Sequence, residues 1–450
     1  MARSTDSYIS PYSRLGLFPY GIYIHSMPFF LLGYAICGRA FAYLGVPPFF
    51  MGEILIMIGL VQVINSSLGF KVFLQIQSWF LLFFIFWSAM QTIPYIPEYG
   101  IMTLRDSVLW SYGFFAYVIA IVLVSQPPLL SVLIMRYQFF VQYFPYIALA
   151  GLVALTFFNK VVFDIGRFVQ MKPGDAMVHL AAVTAFAACG LAGRRRPSWI
   201  IAVVGTLIVA GSAGRGGLMA FCTGLGLIML FRFRHQSTWR TITAFTSAMI
   251  VLGLIITNIP TVEADKGEHV RQISPVQLFK NIASVFMPAE QWGLEGTKRY
   301  RLEWWDKIIN YTFFGDYFIN GKGYGINLSV ADDQVLGGDT TLRSPHNAHL
   351  TILARSGVPG FILWILLNFV WLAGILKAVF NAKFAGKEEW EGVFCTLLAF
   401  YIAAIINSSF DVYLEGPMGG IWFWTVFGIG IASMHIYRTF PEMLIIDGGD

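Results

Sequence analysis

The chain is a succession of apolar runs with its charges confined to the links between them, a pattern that leaves few folds open. The runs fall at about 23–43, 51–65, 71–92, 107–124, 137–158, 176–192, 198–212, 216–231, 241–258, 358–376, 391–408 and 419–437. A helix needs roughly 20 apolar residues to cross a hydrocarbon layer, and helices and closed barrels alone satisfy their backbone polar groups there. Hydrophobic residues make up 57% of the chain and charged residues 12%, against about 25% charged in average globular sequence. A soluble enzyme is excluded. The expectation is an all-α integral membrane protein of about 12 transmembrane helices, with one large extracytoplasmic loop subdomain containing short amphipathic helices. Pro127 and Pro128 followed by residues 129–135 read as an interfacial turn.

Lys and Arg in short links orient such a bundle. Arg194, Arg195 and Arg196 mark one cytoplasmic link and Arg232, Arg234 and Arg240 another. The hairpin between them, residues 211–217 (GSAGRGG), therefore faces outward and carries Arg215. Alternation from there puts residues 259–343 outside and both termini in the cytoplasm, with Met1 opening a cytoplasmic tail rather than a cleaved leader. Three units follow: an N-terminal bundle of about nine spans (1–258), the loop subdomain (259–344), and a C-terminal part of about three spans (345–450). Amphipathic helices are expected at 275–286 and 301–314, the second turning Trp304, Trp305, Ile308 and Ile309 toward the membrane. Cys37, Cys189, Cys222 and Cys395 lie in apolar runs and read as buried small hydrophobes. The formal net charge of +5 is explained by basic inner links and gives no reason to expect nucleic acid.

Chemistry concentrates at residues 343–360, RSPHNAHLTILARSGVPG, at the mouth of an apolar run. His346 and Asn347 are followed by nine residues, then Gly357 and Gly360, so a short helix opens at His346 and the glycines let the chain bend into a span. A near-neutral imidazole suits a general base for a sugar hydroxyl, although a histidine at a helix start also serves as a cap. Arg215, at the start of a helix among glycines, suits an anion site, or it snorkels to headgroups. The cluster KRYR offers Arg299 and Arg301, with Arg301 favoured by its spacing to Trp305 and to the turn GKGYG at 321–325; arginines that merely meet headgroups are the plainer reading. His346 and His349 make half a metal site with Asp332, Asp333 or Asp339, but nothing fixes a third ligand. Arg343, Asn347, His349, Arg167 and Lys172 complete the substrate-binding candidates, and Asp411 and Glu415 are offered for acceptor hydroxyls. Glu53 and His179 stand out as ionisable groups in apolar surroundings. No nucleotide-binding motif is present, so an energy-rich donor must arrive already in the membrane.

The spacing H-N-x9-G-x-x-G resembles the signature of the O-antigen ligase and polymerase superfamily of bacterial membrane glycosyltransferases. The turn at 211–217 is similar to that family's serine-arginine-glycine turn, with Ala213 and Gly214 separating the serine from the arginine, and Arg301 to Trp305 resembles its arginine-to-tryptophan helix. The resemblance implies transfer of glycan from an undecaprenyl-diphosphate donor to the lipid A core at the periplasmic face of the inner membrane. It implies inversion, without metal or cofactor. Residue by residue, His346 would activate the acceptor hydroxyl while Arg215 and Arg301 hold the departing diphosphate. A polymerase joining lipid-linked repeat units of O-antigen or exopolysaccharide is the alternative within the superfamily. A lipid-linked sugar transporter is the alternative outside it.

Overall fold

The computed structural model describes residues 21–46, 49–64, 66, 69–155, 170–193, 195–257, 295–335, 338 and 340–444. Arg167, Asp339 and the helix expected at 275–286 lie outside them. In chain order the helices are α1 (Ile22–Cys37), α2 (Arg39–Ala42), α3 (Met51–Ile64), α4 (Ile76–Thr92), α5 (Ile96–Tyr99), α6 (Ile101–Ser111), α7 (Gly113–Ser125) and α8 (Leu129–Val153). There follow α9 (Pro173–Ala188), α10 (Pro197–Ala213), α11 (Arg215–Arg232), α12 (Gln236–Thr257), α13 (Glu295–Phe313), α14 (Leu328–Ala331), α15 (Ala348–Phe384), α16 (Glu388–Ser408) and α17 (Pro417–Thr439). The sheet among the described residues is a minimal antiparallel pair, β1 (Gly45–Val46) and β2 (Phe49–Phe50).

The protein is an all-α membrane protein. By length and composition, five helical stretches of the described residues can cross a bilayer: Ile76–Tyr99, Arg215–Arg232, Ala348–Phe384, Glu388–Ser408 and Pro417–Thr439. The pair α6 and α7, bent by 43°, makes a sixth if it counts as one broken span. Helices α1, α3 and α10 are apolar but shorter.

α9, α11 and α16 pack on one another, α7 lies along α17, and α4 and α16 flank α15. Where α15, α16 and α17 meet, Trp371 stacks on Tyr401 at 3.9 Å and on Phe427 at 5.5 Å, and its indole N–H donates to the Phe427 carbonyl. Large aromatics suit this joint because ring contacts add to the area they bury. Three sequence expectations are corrected. Residues 129–135 are the first turns of α8 rather than a turn, because Pro127 and Pro128 precede a helix start, where a missing N–H costs nothing. Cys222 is exposed on the bundle surface and Cys37 half-buried. On α13, Trp304 and Ile308 are fully buried and form a small core with Leu328, Leu353, Ala354 and Val358, so they face α15 and not a bilayer.

The feature that positions the site is a break in α15. The side chain of Asn347 caps it, accepting from the N–H groups of His349 (3.0 Å) and Leu350 (3.2 Å). Ten residues on, Gly357 takes φ 67° and ψ −175°. Carbonyls freed at the break need partners, and the turn ahead of α14 provides them. The Lys322 N–H donates to the Ala354 carbonyl (2.7 Å), the Gly323 N–H to the Arg355 carbonyl (3.1 Å), and the Val358 N–H to the Phe318 carbonyl (2.7 Å). A β-carbon at 357 would meet the Ile319 oxygen at 2.3 Å. The bend expected from the two glycines is therefore a bolted joint between the loop segment and α15.

Candidate active site

His346 sits in the turn before α15 with φ 52°, a conformation uncommon outside glycine that persists only where the surroundings fix it. They do so on both sides: the Trp305 indole donates to the Pro345 carbonyl at 2.9 Å, and Asn347 is tied down as the helix cap. His346 is one-third exposed, and its Nδ1 lies 3.8 Å from Asp411 Oδ1, an ion-pair contact rather than a formed hydrogen bond. Lys172 Nζ approaches the same oxygen at 3.5 Å, and the Val412 N–H donates to it at 2.8 Å. Burial works to raise the Asp411 carboxyl, but His346, Lys172 and the Val412 N–H outweigh it and hold the group at about 2. The result is an imidazole beside a carboxylate that stays ionised at any physiological pH.

The loop after α16 that carries Asp411 also meets two arginine-bearing helices. Arg301 Nη1 donates to the carbonyl of Phe410 at 3.0 Å. At the start of α11, Gly216 is so close to Phe410 that a β-carbon there would lie 2.8 Å from its Cβ. Arg215 is therefore next to this loop, and the structure draws Arg215, Arg301, Lys172 and His346 around residues 410 and 411. Arg299 points elsewhere: it is 84% exposed and pairs with Glu303 one helical turn on, at 2.8 Å.

Other candidates have structural engagements. His349 accepts from the Trp364 indole at Nδ1 (3.0 Å) and meets the Ile405 carbonyl through Nε2 (3.2 Å). Both its nitrogens have partners within the protein, which fixes one neutral tautomer. Asp332 accepts the Trp304 indole (2.7 Å) and pairs with buried Lys322, and no three His, Cys, Asp or Glu among the described residues gather as metal ligands. Arg343 binds Asp106 (3.1 Å) and the Gly325 carbonyl (2.8 Å). Glu415 accepts from Thr351 at 2.8 Å; burial pushes its carboxyl up. Glu53 accepts the Phe50 N–H at 3.1 Å, and His179 sits among rings with Trp422 at 4.7 Å.

Three residues not singled out in the sequence, Arg355, Asp106 and Asp175, join this network. Arg355, 2% exposed, lies 3.0 Å from Asp106 on α6 and donates to the Gly323 and Ile326 carbonyls. Asp106 also accepts the Gly325 N–H. The signal available was an ionisable residue inside an apolar run, which is seldom incidental; its partner was not readable. Asp175, in the first turn of α9 ahead of its apolar run, is raised to about 7 by burial against the opposing pull of Lys172.

His346, Lys172, Arg343, Asp175 and Glu415 line one side of a cavity of about 360 Å³, and α2, α3 and α6 supply the other. An imidazole one-third exposed beside a carboxylate, with Arg301 on the neighbouring Phe410 carbonyl and the start of α11 against Phe410, forms an arrangement suited to deprotonating a hydroxyl next to a leaving anion. No curated protein matches the chain. The model of the O-antigen ligase family matches residues 200–365, a stretch holding Arg215, Arg301, His346 and Gly357, and the chain therefore carries a domain of the O-antigen ligase superfamily.

Proposed function

We propose that this protein is an O-antigen ligase-type glycosyltransferase that moves glycan from an undecaprenyl-diphosphate donor to the lipid A core. The observation that carries the reading is the convergence on residues 410 and 411: His346 faces Asp411, Arg301 bonds the Phe410 carbonyl, and the start of α11 abuts Phe410. His346 takes the proton of the acceptor hydroxyl as its oxygen bonds to the donor's anomeric carbon. The bond from that carbon to the diphosphate oxygen breaks on the opposite face, which inverts the centre. Arg215 and Arg301 neutralise the charge that develops on the departing diphosphate, a role preorganised donors fill well in a low-dielectric setting. Asp411 orients the imidazole and stabilises its protonated form. No metal is required in this scheme because the arginines supply the positive charge.

The setting that goes with this function is the bacterial inner membrane, with about twelve spans, cytoplasmic termini and a periplasmic site. Donor glycan, acceptor and bilayer are its partners. The test is glycan transfer by the purified protein in detergent with a synthetic polyprenyl-diphosphate oligosaccharide and EDTA. Wild type should transfer, and His346→Ala and Arg215→Ala should not. Product on lipid A core marks a ligase, and product on a second lipid-linked glycan marks a polymerase. Donor binding with no transfer to either acceptor, while both variants still support sugar export in cells, would hand the case to a transporter.

A further inference from the structure

The cavity beside His346 has a second wall built from helices that precede the family match. Arg39 on α2 and Arg105 on α6 line it, as do Lys172 and Arg343. Lys172 is committed to Asp411, and Arg343 to Asp106 and the Gly325 carbonyl. Arg39 and Arg105 are exposed, and the side chain of neither makes a hydrogen bond or ion pair with a described residue. Three acids line the cavity as well: Glu53 accepts the Phe50 N–H, Glu415 accepts from Thr351, and Asp175 has its carboxyl drawn down by Lys172 and Arg39 against the effect of burial. Tyr413, 3% exposed, also lines the cavity, and its hydroxyl has no hydrogen-bond partner among the described residues. Two guanidinium groups that make no hydrogen bond or ion pair among the described residues, Arg39 within electrostatic reach of Asp175, share a space of about 360 Å³ with the base and an unpartnered buried hydroxyl.

Arg215 and Arg301 do not line this cavity, whereas His346 does. The histidine thus stands between two cationic regions, one at Phe410 and one at Arg39 and Arg105. A base must face the hydroxyl it deprotonates, so the cavity is the acceptor's side. We propose that Arg39 and Arg105 form a phosphate subsite for the acceptor glycan, with the Tyr413 hydroxyl as a further donor to it. Guanidinium forks match phosphate oxygens in pairs, and a phosphate held there would aim a nearby sugar hydroxyl at His346. The inference rests on the two-substrate reading above. The phosphate comes either from a phosphorylated lipid A core or from the diphosphate of a second lipid-linked glycan.

Binding to the full chain in nanodiscs tests this separately from turnover. The probes are bisphosphorylated lipid A core, the same glycolipid after phosphatase treatment, and a polyprenyl-diphosphate oligosaccharide, the last measured in an Arg215→Gln/Arg301→Gln background to silence the donor region. Adding Arg39→Gln/Arg105→Gln should weaken one phosphorylated probe about tenfold or more, as expected for loss of paired charged contacts worth 1.4 kcal/mol per decade. Binding of the dephosphorylated glycolipid should not change. Which probe responds identifies the source of the phosphate. Arg39→Lys/Arg105→Lys keeps the charges and should fall between, with thermal unfolding unchanged in every folded variant. Equal binding of all three probes by wild type and the double glutamine variant overturns the subsite, as does an equal loss for the dephosphorylated glycolipid. If the binding difference holds but no glycan is transferred, the subsite stands and the proposed reaction falls.

Discussion

Arg355 Nη2 lies 3.0 Å from Asp106 Oδ2, joining the broken helix α15 to α6 through a pair that is almost fully enclosed. The same carboxylate takes Arg343, three residues before His346, and the Gly325 N–H. One acid therefore fixes the turn that carries His346, the glycine-rich turn and the first half of α15 together. Removing one partner of such a pair leaves a buried charge uncompensated, which costs about 3–5 kcal/mol. Asp106→Asn should lower the thermal midpoint in detergent sharply, and Asp106→Asn/Arg355→Met should recover part of the loss. An unchanged midpoint in the single variant would show that the pair contributes nothing to stability.

Gly357→Ala probes the break itself. The backbone there has φ 67°, and the added carbon would meet the Ile319 oxygen at 2.3 Å. Strain of about 1–3 kcal/mol from the backbone region alone adds to the clash, so the variant should unfold earlier and lose transfer activity. Gly360→Ala would place its carbon 2.3 Å from the Ser356 Cβ and 3.0 Å from the Trp87 ring, so it should also melt earlier. Gly226→Ala on α11, with nothing within 4 Å, should by contrast be neutral or slightly stabilising in a side-by-side thermal melt.

The two arginines of KRYR should separate cleanly. Arg301 reaches the Phe410 carbonyl beside the His346 and Asp411 pair, whereas Arg299 pairs with Glu303 at the surface. Arg301→Ala should cut kcat by about 10²-fold, the scale of one lost preorganised donor. Arg299→Ala should stay within about twofold, since exposed pairs contribute less than about 1 kcal/mol. The reverse order in steady-state kinetics would move the diphosphate contact to Arg299.

Two carboxyls should respond to pH in opposite senses. Asp411 is held at about 2 against an ordinary 3.8, so its contribution is complete above 3.8 and is lost as pH falls toward 2. At roughly 1.4 kcal/mol per unit that is about 2 kcal/mol. Asp175 is raised from 3.8 to about 7, so the folded state is penalised increasingly as pH rises through that window. Asp175→Asn should therefore melt higher than wild type at pH 8 and close to it below pH 4, while Asp411→Asn should melt lower than wild type at pH 6 and converge with it toward pH 2. Parallel melting curves across pH for either variant would remove the corresponding shift.

Much of the site was legible because it is written locally. A helix start is expected at His346 and falls two residues on, at Ala348; the cap there is Asn347, which the sequence offered as a substrate ligand, and not His346. Gly357 reads as a bend and bends, and Arg301 rather than Arg299 turns inward as its spacing to Trp305 suggests. Periodicity failed where it had to choose between two apolar surroundings. Trp304 and Ile308 form an amphipathic face either way, and nothing in their spacing says that α15 rather than lipid covers it. His349 looked reactive for the same reason: its indole and carbonyl partners, Trp364 and Ile405, lie on other turns and other helices.

The sequence by itself determined the class of protein and the motif, because apolar length and glycine act over a few residues of chain. The tertiary structure decided which charges meet. Asp106 and Arg343 are 237 residues apart, His346 finds Asp411 across two helices, and Arg39 and Arg105 reach the same cavity from the opposite half of the chain. A side chain carries its charge in the sequence, but the partner that satisfies it is fixed only when packing closes the space between them.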